Sequence, residues 1–186
     1  NGCSFEKVDN PSEIASELLY NQKVIGWFQG KSEIGARALG HRSILADPRS
    51  PNMKIEINNK IKYREEFRPF APAIMNENAN KYFNTKNKEI PYMNITLDTK
   101  KNKINEIPAT VHIDGTARVQ TVSPLNDEKF YKLISNFNEK TGVPVVLNTS
   151  FNLKGQPIVE TPRDAIMTFY GCGLDALVIG NYCIKK

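Results

Sequence analysis

The stretch from Asn126 to Leu147 constrains the fold most. Phe130, Leu133, Ile134 and Phe137 recur at the spacing that places them on one side of a helix running from Asn126 to Lys140. Thr141-Gly142 stops that helix, because glycine takes the left-handed backbone of a helix end without steric cost. Val143 to Leu147 follows at once as a short, continuously apolar run, the signature of a buried strand. A helix with one apolar side leading into a buried strand calls for helices laid on a sheet.

Asn10 caps a first helix that has Pro11 in its first turn, Glu13 three residues after the cap and Ile14, Leu18 and Leu19 at helical spacing, ending near Asn21. Val24 to Phe28 reads as a buried strand opening into Gln29-Gly30-Lys31. Ile34 to Leu39 is expected to form a helical turn, Ser43 to Ala46 a strand, and Asn52 to Ile61 a helix with Met53, Ile57 and Ile61 on one face. Phe70 to Met75 is strand-like, and Pro72 assigns it to an edge or to irregular structure. Tyr92 to Leu97, Ala109 to Asp114 and Ala117 to Val122 are expected strands, with Lys100 to Asn105 a polar loop, so the middle of the chain is expected to be rich in β structure. Thr161-Pro162 opens a last helix, Arg163 to Tyr170, and Ala176 to Ile179 is expected to close the sheet. The order of elements predicts a mixed-sheet α/β or α+β fold.

With 186 residues, 40% of them hydrophobic, the chain is expected to fold as one domain, 1–186. It begins at Asn1 rather than Met, as processing or a boundary inside a longer protein would both produce. The formal charge of +5 suits an anionic ligand as well as nucleic acid. Cys3, Cys172 and Cys183 are odd in number and lack C-x-x-C spacing, which argues against a disulfide framework and a zinc site and points to a cytoplasmic location. Nothing approaches a membrane span or a signal peptide, so no membrane partner is expected.

Four segments carry more polar and charged residues than packing needs. In Gln29 to Leu45, three glycines interleave with Lys31, Arg37 and Arg42, so backbone N–H groups and guanidinium forks could meet an anion. The order of a P-loop is missing, and a surface loop with solvated cations is the plain alternative. In Lys62 to Pro72, Arg68 lies between Phe67 and Pro69-Phe70, an apolar setting that calls for an anionic partner, either a ligand or a carboxylate such as Glu65 or Glu66. Lys62 and Arg64 read as helix-end cations. Thr116, Arg118 and Gln120 share one face of a strand, as a ligand-facing wall or as a solvated sheet face. Asn148, Ser150 and Asn152 stand at the carboxyl end of a buried strand, a usual place for ligand contacts, although such residues also cap turns. His41 and His112 have no carboxylate or cysteine at ligand spacing, and Cys172 carries no mark of an activated nucleophile, so no metal ligand is assigned.

Together these segments resemble the C-terminal domain of O-carbamoyltransferases, a family that includes the nodulation-factor, cephalosporin and tobramycin carbamoylating enzymes. The resemblance runs from about Val24 to Asn181. It rests on G-A-R-A-L-G-H-R-S-I-L-A-D-P-R from Gly35, F-R-P-F-A-P from Phe67, D-G-T-A-R-V-Q from Asp114, L-N-T-S-F-N from Leu147 and G-Q-P-I-V-E-T-P-R-D-A-I from Gly155. Lys31, Ala36 and His41 depart from the Arg, Pro and Asn that the family's first motif would lead one to expect.

The resemblance implies a YrdC-like twisted mixed sheet with flanking helices, in one part of a longer two-domain enzyme. It also implies that ATP and carbamoyl phosphate combine here into carbamoyl-adenylate. An N-terminal transferase domain, similar to the tRNA threonylcarbamoyl transferase and sugar-kinase-like ATPases, would pass the carbamoyl group to a hydroxyl. Lys62, Arg68 and Arg118 would then serve catalysis. Arg37, Arg42, Thr116, Gln120, Asn148, Ser150 and Asn152 would line the carbamoyl phosphate and ATP site, with Asn148 and Ser150 on carbamoyl or phosphate oxygens. Mg²⁺ is an optional companion of ATP for which no carboxylate cluster is evident, and a transfer-site metal is expected only in the N-terminal domain. The rival classes are an RNA-binding module, for which stacking aromatics are not clustered, and a non-catalytic lid on the transferase domain, whose site arginines would be paired with carboxylates.

Overall fold

The computed structural model describes residues 4–186. Its elements run β1 (Glu6–Lys7), α1 (Pro11–Tyr20), β2 (Ile25–Phe28), β3 (Arg42–Ala46), α2 (Asn52–Ile57), β4 (Ala71–Met75), α3 (Ala79–Tyr82), β5 (Thr96–Asp98), β6 (Thr116–Arg118), β7 (Gln120–Val122), α4 (Glu128–Thr141), β8 (Val145–Ser150), α5 (Pro162–Tyr170), β9 (Ala176–Ile179) and β10 (Tyr182–Lys185). The main sheet has the order β1-β10-β9-β2-β3-β8-β4-β7, and β5 and β6 form a small sheet of their own. β2 with β9 and β4 with β7 pair in parallel, while the other neighbours are antiparallel. The sheet is therefore mixed, as expected.

Alternation along the strands divides the core between two faces. Ile44, Leu147, Leu177 and Phe28 pack with Met53, Ile57 and Ile61 and with Ala165 and Phe169 of α5. Trp27, Leu45, Val146 and Val178 point the other way, onto Ala15 and Leu19 of α1 and the Phe130, Leu133, Ile134, Phe137 stripe of α4. Full burial of each large side chain contributes roughly 1.5–3 kcal/mol, which is why this stripe decides where α4 lies. The helix ends obey local chemistry. Asn10 accepts from the Glu13 N–H, Thr161 and Asp164 form a reciprocal capping box, and Gly142 ends α4 at φ 73°.

Several sequence expectations are corrected. Ile34 to Leu39 forms bends rather than a helical turn, because the Glu33 carboxylate takes the N–H groups of Leu39, His41 and Arg42. The helix expected to reach Ile61 ends as α at Ile57 and continues as a π-helical turn, Asn58–Lys62. β4 lies inside the sheet despite Pro72, between β8 and β7, and its pairing with β7 starts at Ala73, one residue beyond the proline. The middle of the chain holds less β structure than expected. Tyr92 to Leu97 yields only the short β5, Ala109 to Asp114 is a 3₁₀ turn (Pro108–Thr110) and a loop, and Lys101–Glu106 is 3₁₀. Ala117 to Val122 breaks at Val119, so β6 pairs with β5 while β7 joins the main sheet. β9 does not close the sheet, since β10 and β1 lie beyond it.

Among the described residues, no helix is long and apolar enough to cross a membrane, and no group of three or more His, Cys, Asp or Glu is placed to hold a metal. Cys172 and Cys183 are buried free thiols, and Cys3 lies outside the described residues.

Candidate functional site: an arginine-lined cavity

A cavity of about 200 Å³ opens where the loop after β2, the turn after α2, the start of β4 and the ends of β6 and β8 meet. Arg37, Arg64, Arg68 and Arg118 line it together with Phe70, Met93, Asn148, Thr149 and Ser150. Larger hollows of about 530 and 550 Å³ exist, and neither is lined by an arginine, whereas this one gathers four guanidinium groups. Among the described residues, none of the four is bridged to a carboxylate. Their crowding has an electrostatic cost. Burial first, then the charge of Arg68, hold Arg64 down to about 10; Glu65 opposes them, and Arg118 adds a smaller push in the same downward direction. Burial, and after it the charge of Arg37, lowers Arg118 as well. Uncompensated positive charge in a concave wall is what an anionic ligand would relieve.

Arg64 is the site residue that sequence reasoning missed. Its reading as a helix-end cation fails because the π-helical turn ends at Tyr63 in the left-handed region (φ 47°), which turns the chain back toward the sheet. Arg64 Nε then donates to Asn58 Oδ1 at 2.7 Å, and the guanidinium lies 4.9 Å from the Phe70 ring centroid. The Lys-x-Arg alternation at 62 and 64, followed by Arg68, was the available signal.

Lys62 sits behind the wall rather than on it. The residue is 5% exposed, and its ammonium donates to Ser150 O at 2.5 Å, Asn152 O at 3.0 Å and Asn152 Oδ1 at 2.9 Å, with Ser150 Oγ at 3.3 Å. It therefore shapes the end of β8 instead of reaching the cavity. Burial, reinforced by Arg64, pushes it down to about 7. Ser150 lines the cavity and donates to Asn152 Oδ1 at 2.7 Å, while Asn152 is engaged by Lys62, Ser150 and the Gln156 carbonyl.

Three further expectations are corrected by position. Arg42 is buried and faces inward: it donates to Gln29 O at 2.7 Å and Gly30 O at 3.1 Å and stacks 3.6 Å over Phe28. It holds the glycine-rich loop and does not face the cavity. Thr116 is turned away too, bonded through Oγ1 to Asp114 at 2.7 Å and His112 at 3.0 Å. Gln120 lies beneath the cavity, donating to Leu39 O at 2.7 Å and accepting from Asn148 Nδ2 at 2.8 Å. Asn148 reaches the cavity, but both its amide hydrogens are committed, to Ala38 O and Gln120 Oε1, so it has no donor left for the carbamoyl or phosphate oxygens assigned to it. His41 is not alone: its Nε2 lies 3.6 Å from Asp127 Oδ2, at the cap of α4.

The geometry defines an arginine-lined cavity at one end of the β3, β8 and β4 strands of a mixed α/β sheet. The same fold occurs in HypF of T. kodakarensis (TM-score 0.62, 18% identity, 97% of this chain and 22% of that one) and in Sua5 of P. abyssi solved with L-threonine (TM-score 0.62, 16% identity, 91% and 46%). It is the YrdC-like fold that the sequence motifs implied. Residues 16–186 match the model of the carbamoyltransferase C-terminus family, and the chain belongs to that family. Nodulation protein NolNO of Sinorhizobium fredii strain NGR234 is 46% identical over 184 residues, 98% of this chain and 27% of that protein. The chain thus spans between about a quarter and a third of the length of the curated relatives it matches.

Proposed function

We propose that this chain binds carbamoyl phosphate and ATP and forms carbamoyl-adenylate, which the N-terminal domain of a longer chain passes to a hydroxyl group. The observation that carries this reading is the convergence on one cavity of Arg37, Arg64, Arg68 and Arg118, none of them bridged to a carboxylate among the described residues. Two anionic reactants repel each other, and fixed guanidinium groups offset that repulsion and stabilise the charge that grows on the leaving phosphate. A purely structural lid would need these arginines paired.

The size of the cavity favours a division of labour. About 200 Å³ falls below the roughly 300–1,000 Å³ typical of drug-sized ligands, so the enclosed part suits the acyl phosphate and the nucleotide extends along the open rim. Carbamoyl phosphate has no carboxylate oxygen with which to attack phosphorus, so a balanced route has two steps. Water displaces inorganic phosphate and leaves carbamate. A carbamate oxygen then attacks the α-phosphorus of ATP, and pyrophosphate departs. Mg²⁺ would arrive with the triphosphate, since among the described residues no carboxylate cluster is placed to hold it.

The full-length protein incubated with ATP and carbamoyl phosphate should yield carbamoyl-adenylate by mass spectrometry, with one phosphate and one pyrophosphate released per adenylate. ATP consumed only to ADP, or no pyrophosphate release dependent on carbamoyl phosphate, would overturn the reading.

A further inference from the structure

His41 stands between two acceptors. Its Nδ1 lies 3.3 Å from the Gln29 carbonyl oxygen, and its Nε2 lies 3.6 Å from Asp127 Oδ2. A carbonyl and a carboxylate oxygen offer only lone pairs. Neutral imidazole carries one N–H, so whichever tautomer it takes, one ring nitrogen turns a lone pair toward an oxygen. The doubly protonated ring offers an N–H to each.

Asp127 is placed to meet that charge. Its Oδ1 accepts from the Phe130 N–H at 2.9 Å and caps α4, which leaves Oδ2 buried without a hydrogen-bond partner among the described residues. Burial pushes this carboxyl up; the Phe130 N–H and His41 oppose it, and Glu33 adds a smaller upward push. A proton held between the two side chains relieves both, so they titrate as a pair. Gly40 is what lets the loop come this close, since an added Cβ would lie 3.1 Å from Asp127 Oδ2. The other charged or titratable side chains around His41 are Lys31, Glu33 and Tyr92, which line the same hollow, and Arg42, which donates to the same Gln29 carbonyl at 2.7 Å. Histidine is the type in this group that ordinarily changes charge between about pH 5 and 8.

The loop that ends at His41 carries Arg37, which lines the arginine cavity, and Glu33 folds this loop by accepting the His41 N–H at 2.9 Å. We infer that His41 and Asp127 form a proton-operated clasp: the imidazolium–carboxylate pair ties the loop after β2 to the cap of α4 and so positions Arg37, and loss of the shared proton releases the loop. Neither residue lines the cavity, so both are positioning residues. The unfolded chain, with both groups in water, gives up the histidine proton near about pH 6.5, whereas the folded pair holds its proton to higher pH. The clasp is therefore complete below about pH 6.5 and is lost as pH rises through the folded pair's value. It stands without any ligand; only its effect on anion binding rests on the proposed function.

Amide hydrogen exchange on the 186-residue chain, corrected for the intrinsic base-catalysed rate, reads the clasp. Protection at Leu39 and His41 should be at least about threefold higher at pH 5.5 than at pH 8 in wild type, and level in Asp127→Asn. Asparagine is a good helix cap, so that variant keeps α4. In His41→Gln protection at Leu39 should be level as well. Lys62, which changes charge in the same range, is common to all three proteins. Equal protection at the two pH values in wild type, or a dependence that survives in both variants, would overturn the clasp. Sulfate keeps one charge over this range and tests the link to the cavity. From pH 5.5 to pH 8 wild type should lose at least about threefold more sulfate affinity than His41→Gln. Equal losses would overturn that link, and absence of sulfate binding at both pH values would count against anion binding in the cavity while the exchange result still decides the clasp.

Discussion

Lys62 Nζ and Asn152 Oδ1, 90 residues apart in the chain, lie 2.9 Å from each other and join the turn after α2 to the end of β8. That bond draws a lysine without a carboxylate partner into the protein interior, where burial and Arg64 hold it down to about 7. The turn that carries Arg64 and the strand end that carries Ser150 are thereby fixed to each other, and both line the cavity.

The depressed Lys62 makes stability depend on pH in a definite sense. The unfolded chain has this lysine at its ordinary 10.5, so between about 7 and 10.5 the unfolded state binds more protons than the folded one. The penalty for burying the charge is therefore complete below about pH 7 and fades as pH rises toward 10.5. Stability should climb over that window with a slope of up to about 1.4 kcal/mol per pH unit from this residue. Urea unfolding at pH 7 and pH 9 should show the rise in wild type and a much flatter response in Lys62→Met.

Arg68→Ala and Arg118→Ala should act in opposite directions on binding and on stability. Each removes a cation that repels Arg64, so the thermal midpoint should stay level or rise slightly. Each also removes a charge-assisted donor, so phosphate affinity should fall about tenfold or more, by roughly 1.5–3 kcal/mol. Calorimetry and thermal melts on the same samples check both halves.

Glu33 gathers the backbone N–H groups of Leu39 at 2.6 Å, His41 at 2.9 Å and Arg42 at 3.2 Å onto one carboxylate oxygen. Glu33→Ala should loosen the loop that carries Arg37 while the core stays intact. Amide hydrogen exchange at Leu39 and His41 should speed up, phosphate affinity should drop, and the thermal midpoint should move little.

Gly40 has φ 116°, and an added Cβ would lie 2.4 Å from Phe130 Cδ1. The neighbouring atom belongs to a fully buried ring on α4, which has nowhere to retreat. Gly40→Ala should cost about 1–3 kcal/mol or more in urea denaturation, because backbone strain and overpacking act together.

The parts of this fold legible in the sequence are those set by local chemistry. Asn10 with Glu13, Thr161 with Asp164 and Gly142 are complete signals within one helical turn, and the Phe130 to Phe137 stripe carries its own period. The position of Pro72 inside the sheet was hidden, because it depends on where β7 starts, and that is set by the break at Val119 more than forty residues later. In the site, Arg37, Arg68, Arg118 and Asn148 could be picked out as polar residues beyond packing need. The inward turn of Arg42 over Phe28 could not, since it follows from Glu33 folding the loop back. Arg64 was hidden by the left-handed Tyr63, for which no glycine gives warning.

The most direct test is titration of the 186-residue chain with carbamoyl phosphate, comparing wild type with the Arg68→Ala, Arg118→Ala double variant. Saturable binding of one ligand per chain, weakened at least about a hundredfold in the double variant and steeply by salt, is the result expected of a single convergent cavity. Equal affinity in wild type and double variant would show that these guanidinium groups do not form the binding site.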